Sequence, residues 1–321
     1  TKWNNERMQI LLDGRPLYDP YLGGALFYLH PVFLENIERI EVIRGSAGVA
    51  WGVNAMNGVI NIITKKTADT TGGLIYGAAG EQGLRQSFLR YGGGSRPFSW
   101  RTTLGSFYED GFVRENGIRV YDDYEAFQAT GRAEWTPGED TTLIVSGGHQ
   151  NAWSNNEKLQ YLNLLWEKRI DEENTLQFRW TESYIWRDKV TNYFSGSNDW
   201  MYNRADIRSR EEIFEFQHNW LHDSHNIVWG IDYTRDVYRS SPLDDQHNTV
   251  PEDFVNDQAS AFIEDEIELA DNLWLTLGYR GFYNEMTHFD WAGSASLVWQ
   301  PAPKHFLRAG VSRAFRRPTF W

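Results

Sequence analysis

The 321 residues contain no cysteine, which removes disulfides and thiolate metal sites from consideration. No stretch approaches the roughly 18 consecutive apolar residues that a membrane-crossing helix needs. Positive charge is scarce: 31 Lys and Arg stand against 44 Asp and Glu, for a net charge of −13. Nucleic-acid phosphates want a basic surface, so that class of partner is disfavoured. Thr1 opens the chain with neither a basic n-region nor an apolar h-region, so no signal peptide is read. The last residues, Arg316-Arg317-Pro318-Thr319-Phe320-Trp321, carry no stop signal, and both ends are expected to be cuts. No serine sits in a nucleophile elbow and no His–carboxylate pair suggests acid–base work, so no enzyme activity is expected. The glycine clusters Gly72-Gly73 and Gly92-Gly93-Gly94 lack the helix and lysine of a phosphate loop. His218, His222 and His225 are close in sequence, but the last two bracket a turn, so no metal site is expected and no cofactor is implied.

Aromatic residues are plentiful: 15 Trp, 16 Tyr and 18 Phe. Amphipathic rings collect at membrane–water interfaces. From Thr70 onward the chain reads as long alternating strands. Leu273, Leu275, Leu277, Tyr279 and Tyr283 share one face, against Trp274, Thr276, Gly278 and Arg280. Ile227, Trp229, Ile231 and Tyr233 oppose Val228, Gly230, Asp232 and Thr234 in the same way, and Phe178, Trp180, Tyr184 and Trp186 oppose Gln177, Arg179, Thr181 and Ser183. About 13 such strands are expected, many longer than the ~9–11 residues of a tilted membrane strand.

Connection lengths strengthen the reading. Tight turns at Pro137-Gly138, His222 to His225, Asp271-Asn272 and Pro301 to Lys304 largely alternate with longer polar loops at Glu109 to Asp123, Val190 to Ala205 and Ser240 to Asn256. Short turns on one side and long loops on the other are the habit of outer-membrane barrels. A soluble sandwich has no reason to sort its loops by parity.

The first 68 residues have a different texture. Arg7 to Leu12 reads as a strand with Asp13-Gly14 as its turn, and the β-branched run GVINIIT (Gly58 to Thr64) as a buried strand. The segment Ile37 to Lys66, IERIEVIRGSAGVAWGVNAMNGVINIITKK, strongly resembles the last third of the plug domain of TonB-dependent receptors. Ile10 to Pro16 (ILLDGRP) is similar to the plug strand and turn upstream of it. Ala259 to Tyr283 resembles a family barrel hairpin, and Ser312 to Thr319 (SRAFRRPT) a common strand-to-loop passage. Ser46 departs from the family, many members of which carry Pro there.

The resemblance implies an all-β fold: a transmembrane antiparallel β-barrel, partial here, with part of an N-terminal plug. About 13 strands would belong to the 22-stranded wall of plugged outer-membrane transporters. Residues 1–68 would be the C-terminal part of the plug and 69–321 the N-terminal part of the barrel. It further implies active uptake of a large scarce solute across the bacterial outer membrane, a ferric siderophore first and cobalamin second. The energy would come from the TonB energy-transducing complex, engaged through a TonB box absent from this chain. A passive diffusion porin is the competing function, and the plug-like region speaks against it.

Charged residues on a plug strand need partners. Arg39 and Glu41 share a face of one strand with Ile37 and Ile43, and Arg44 lies at its end. Family members pair such plug arginines with barrel glutamates, and Glu264 and Glu266 are the candidates for that lock. They can also simply line a wet lumen. Tyr18, Asp19 and Tyr21 lie in a segment resembling an outward-facing plug apex. Trp153, Tyr193, Phe194, Trp200 and Tyr202 lie at or beside long-loop ends. These rings are candidates for stacking on a ligand or for the outer aromatic girdle.

Overall fold

The structure, a computed structural model, describes residues 7–19, 23–30, 32–111, 123–152, 156–196, 199–242 and 253–316; for 28, 189–196, 199–205 and 241–242 it describes the backbone alone. The N-terminal part builds a small inner sheet. Its strands are β1 (Met8–Leu12), β2 (Arg15–Pro16), β5 (Ile37–Arg44) and β6 (Gly58–Thr64), in the order β2-β1-β6-β5. A separate ribbon pairs β3 (Tyr18–Asp19) with β4 (Gly24–Ala25), and one helical turn, α1 (Gly48–Trp51), joins β5 to β6. β6 runs parallel to β1 and antiparallel to β5. Its β-branched residues suit this central position, and Val59 packs with Leu11 and Ala55 in a small dry core. The edge strand β5 is mostly exposed.

The remainder forms a single sheet of 13 strands in which each strand pairs with its sequence neighbours. The first six are β7 (Gly72–Ala79), β8 (Arg85–Ser95), β9 (Phe98–Glu109), β10 (Tyr124–Trp135), β11 (Thr141–Ala152) and β12 (Glu157–Arg169). Two long strands follow, β13 (Asn174–Gly196) and β14 (Asp199–His222). The last five are β15 (His225–Pro242), β16 (Asp253–Ala270), β17 (Leu273–Asn284), β18 (His288–Ala302) and β19 (His305–Arg313). Among the described residues β7 and β19 each pair on one side only, as the sequence reading expects of the first and last strands.

Alternation sorts the wall into two faces. Leu277, Tyr279 and Tyr283 are exposed on the outside of β17, whereas Arg280, Phe282 and Asn284 are buried inside. Ile231, Tyr233, Phe214, Leu297 and Trp299 continue the apolar outer belt. One expected loop is not a loop. Between Val190 and Ala205 the strands β13 and β14 stay paired, from Val190↔Ala205 to Gly196↔Asp199. Val190, Thr191, Tyr193 and Phe194 favour extended backbone, and only the Ser-Gly-Ser-Asn cluster at 195–198 supplies turn chemistry.

An arginine on the lipid face at mid-strand costs about 2–4 kcal/mol in a membrane barrel. Leu277→Arg is therefore expected to lower the denaturant midpoint of the vesicle-inserted protein, while the neighbouring lumen-facing Thr276→Arg lowers it clearly less. Equal losses at the two positions would show that the faces are assigned wrongly.

Candidate functional site

The site is the seam between the inner sheet and the wall, and arginine builds most of it. Asp13 and Gly14 form the turn between β1 and β2, where Asp13 accepts from the Thr64 backbone N–H at 2.8 Å and from its hydroxyl at 2.9 Å. The same carboxylate lies 3.0 Å from Arg132 of β10, and the Asp13 carbonyl accepts from Arg179 of β13 at 3.3 Å. Gly14 has φ +78°, and a Cβ there would fall 1.8 Å from the Arg179 guanidinium. Glycine thus serves both the turn and the approach of the wall.

Farther along β13, Arg187 makes an ion pair with Asp19 of β3, both side chains being 1% exposed. Glu157 of β12 lies 3.3 Å from the same guanidinium. On the other flank, Arg280 of β17 donates to the Val49 carbonyl of α1 at 2.7 Å and pairs with Asp232 of β15 at 2.5 Å. At the base of the wall, Arg101 donates to the Lys65 carbonyl at 2.8 Å, and Arg90 to the Glu35 carbonyl at 2.9 Å. Asn36 donates to Thr103 at 3.1 Å.

Apolar contacts complete the seat. Leu29 is fully buried against Ala152, Leu159 and Ile185 of the wall. Phe33 packs at a tilt against Phe88, with ring centres 4.9 Å apart, and occupies the space that a Cβ on Gly105 would need. Between the two parts a cavity of about 550 Å³ remains, bordered by Asp13, Tyr18, Trp51, Arg132, Glu211 and Glu215.

Arg15 and His30 lie deep in the seam. Burial pushes the Arg15 guanidinium below its ordinary pKa, opposed by Tyr161, Glu211 and Asp13. Its guanidinium carbon sits 3.9 Å above the centre of the Tyr161 ring. Burial, and after it the charge of Arg15, holds His30 well below the usual 6.5. The His30 Nδ1 has no hydrogen-bond partner among the described residues.

The expected lock is not formed. Arg39 is half exposed and pairs within its own strand, with Glu41 at 2.8 Å and Glu38 at 3.3 Å. Among the described residues no ion pair joins Arg39 or Arg44 to Glu264 or Glu266. The reason is position: β5 is the edge strand of the inner sheet, so its charges meet solvent and each other. Glu264 does face inward, near Val49 and Gly278, whereas Glu266 is exposed. In the contacts of Arg132, Arg179, Arg187 and Arg280 the polarity is therefore inverted, with the cation on the wall and the acceptor on the inner N-terminal part, while Arg15 is a buried cation of the inner sheet.

Of the ligand candidates, Tyr18 and Asp19 are buried in the seam. Tyr21 and Trp153 lie outside the described residues. Tyr193, Phe194, Trp200 and Tyr202 fall on β13 and β14, with Tyr193 opposite Tyr202, but their side chains lie outside the described residues. Arg132, Arg187 and Asp13 were not singled out from the sequence. The alternation that put Arg179 and Arg280 on the lumen face was the available signal.

The TonB dependent receptor-like β-barrel family model matches residues 75–321, and the TonB-dependent receptor plug domain model matches 3–59. The chain is 25% identical over 201 residues to the vitamin B12 transporter BtuB of Vibrio vulnificus, covering 63% of this chain and 27% of that protein. It is 23% identical over 353 residues to the ferric enterobactin receptor of Pseudomonas aeruginosa, covering 89% of this chain and 47% of that receptor. Its fold is similar to the crystal structure of the ferric enterobactin receptor PfeA, with TM-score 0.75, 18% identity, and coverage of 98% of this chain and 56% of the other. The siderophore receptor PirA of Acinetobacter baumannii gives TM-score 0.76 at 17% identity, covering 98% and 55%. The chain thus spans from about a quarter to about half the length of these relatives.

Two outcomes follow for the seam. Asp19→Asn withdraws the plug-side anion from Arg187; Glu157 remains, so the loss is expected near or below the lower end of the about 3–5 kcal/mol typical of a broken buried pair. It should be read as higher ion conductance of the reconstituted protein. His30 binds fewer protons when seated than in water, because its pKa is depressed. Its contribution to stability is complete above about pH 6.5 and is lost as pH falls below that value. The melting temperature should drop between about pH 7.5 and pH 5, and His30→Gln should lessen that drop.

Proposed function

This chain belongs to the TonB-dependent receptor family, and from that membership we propose that it serves energy-coupled uptake of a large, scarce nutrient complex across the bacterial outer membrane. The cargo class is a ferric siderophore first and cobalamin second, in keeping with the printed names of its relatives, a ferric enterobactin receptor and a vitamin B12 transporter. The partner on the inner side is the TonB energy-transducing complex. Residues 1–68 act as plug and 69–321 as transmembrane wall. The rings at Tyr21, Trp153, Tyr193, Trp200 and Tyr202 serve as ligand contacts at the outer mouth.

The observation that carries this reading is the seated inner sheet. It is held to the wall by ion pairs and charged hydrogen bonds at Asp13, Asp19 and Val49, and by the buried side chains of Leu29 and Phe33. A diffusion porin keeps an open aqueous lumen, so such a sheet would defeat its purpose. A mobile plug, by contrast, is served by polar contacts that water replaces at modest net cost.

Uptake of labelled ferric siderophore and of labelled cobalamin by cells carrying the full-length receptor tests the proposal. One of the two should accumulate saturably, and accumulation should fall to background when a protonophore is added or TonB is deleted, while surface binding persists. Unsaturable entry that ignores the protonophore would establish the porin reading instead.

A further inference from the structure

A second cavity, of about 320 Å³, lies between the inner part and the wall, and its lining differs from that of the larger one. Asp13, Arg132, Glu211 and Glu215 make the larger cavity charged. Among the described residues no charged side chain borders the smaller one. Four rings do: Phe27 and Phe33 from the inner part, Phe107 and Tyr124 from the wall. The amides of Gln86 and Gln128 are among its polar groups.

Local structure fixes these rings in place. Phe27 opens a short 3₁₀ turn whose third residue, Leu29, is fully buried against the wall. The turn is anchored at that end, and at the other the Phe27 ring is left 53% exposed. Alternation along β9 places Phe107 on the inner face, with the buried Arg101, Thr103 and Gly105. Tyr124 packs beside Leu29, its hydroxyl is held by Gln150, and its ring centre lies 5.4 Å from that of Phe107. Tyr124 therefore offers the recess a ring rather than a free hydroxyl. Gln128 Oε1 is buried with no hydrogen-bond partner among the described residues. A large apolar ring left half exposed and a buried acceptor left unpaired are both costly. One kind of occupant relieves both: an aromatic ring that carries a hydrogen-bond donor.

Size and place narrow the choice. A dry cavity of about 150 Å³ admits a benzene molecule, so this one takes a single substituted ring with its linking atoms and is too small for a corrin macrocycle. Phe107 and Tyr124 lie beside the 110–123 connection, one of the longer ones, at the end of the wall that the uptake reading turns outward. We propose that the recess is a subsite for an aryl arm of the cargo, so that the cargo is a ferric siderophore with aromatic arms and not cobalamin. The proposal rests on the uptake reading above and narrows it. Lacking a charged side chain, the recess suits the rim of such a ligand, held by ring contacts, and not its iron centre.

Binding of three probes to the full-length receptor in detergent tests this: a ferric tris-catecholate, a ferric tris-hydroxamate, which has no rings, and cyanocobalamin. The wild type should bind the tris-catecholate and not cyanocobalamin. Phe27→Leu and Phe107→Leu keep apolar bulk and remove the ring. Each should weaken tris-catecholate binding about three- to tenfold, the worth of one aromatic pair. Any binding of the tris-hydroxamate should change by less than about twofold. Phe27→Leu, at a half-exposed position, should leave the melting temperature unchanged, so it reports on binding even where Phe107→Leu fails to fold. A wild type that does not bind the tris-catecholate, an affinity unmoved in Phe27→Leu, or an equal loss for the tris-hydroxamate would overturn the proposal. Energy-coupled uptake is measured separately. A receptor that binds the tris-catecholate through these rings without accumulating it would sink the uptake reading and leave the subsite standing.

Discussion

A guanidinium taken out of water must find an acceptor, and that constraint organises this molecule. The wall turns an apolar belt outward, so alternation sends every second residue inward. Arg132, Arg179, Arg187 and Arg280 are among the inward set, with between 1% and 13% of their side chains exposed. Each would be costly if left bare. The inner sheet supplies acceptors at the places where its chain turns: Asp13 at the β1–β2 corner, Asp19 in the β3–β4 ribbon, and the Val49 carbonyl in α1. Turns carry unpaired backbone carbonyls and acidic residues as a matter of local chemistry. They are thus the natural points at which a small sheet can be hung inside a basic wall.

This placement divides labour between two kinds of contact. Leu29 and Phe33 provide shape, filling recesses beside Ala152 and Gly105 that fix where the sheet sits. Such contacts are short-ranged and are lost at once on displacement. The ion pairs act over a longer distance. A seat made only of apolar packing would be hard to leave, and one made only of charges would not define a position. The seam combines the two, with the ion pairs distributed along β10, β13 and β17 rather than gathered at one spot.

Much of this was legible in the sequence, for stated reasons. A strict period of two in Leu273 to Tyr283 allows only one face to meet lipid, and Arg280 is inside as that period requires. The inner-sheet strands followed from β-branched runs and the Asp13-Gly14 turn. The partners of the charges were not legible. Whether Arg39 meets a wall glutamate depends on where β5 falls in the sheet order, and it falls at the edge, where Arg39 pairs with Glu41 two residues on. The strand extension at Val190 to Ala205 was hidden by its polarity, since polar composition suggests a loop while β-branched and aromatic residues sustain pairing.

The inverted polarity has a consequence for how the two parts depend on each other. With Arg132, Arg179, Arg187 and Arg280 on the wall and their acceptors on the inner part, the weakly hydrated charge that stays ionised at all ordinary pH values belongs to the paired strands of the large sheet. On the inner side the partners are backbone carbonyls and two aspartates, groups that water solvates readily. In the uptake we propose, withdrawing the plug would move the more easily hydrated partner, while the cations stay in the paired strands of the wall. Had the arginines been on the plug, each displacement would have had to carry long, cationic side chains past the acidic wall residues Glu211, Glu215, Asp232 and Glu264 that border the remaining cavity. Those carboxylates would have held the plug back at successive points. On the wall they stand beside arginines that do not travel, and the inner side brings a buried cation toward them, Arg15, whose charge Glu211 supports.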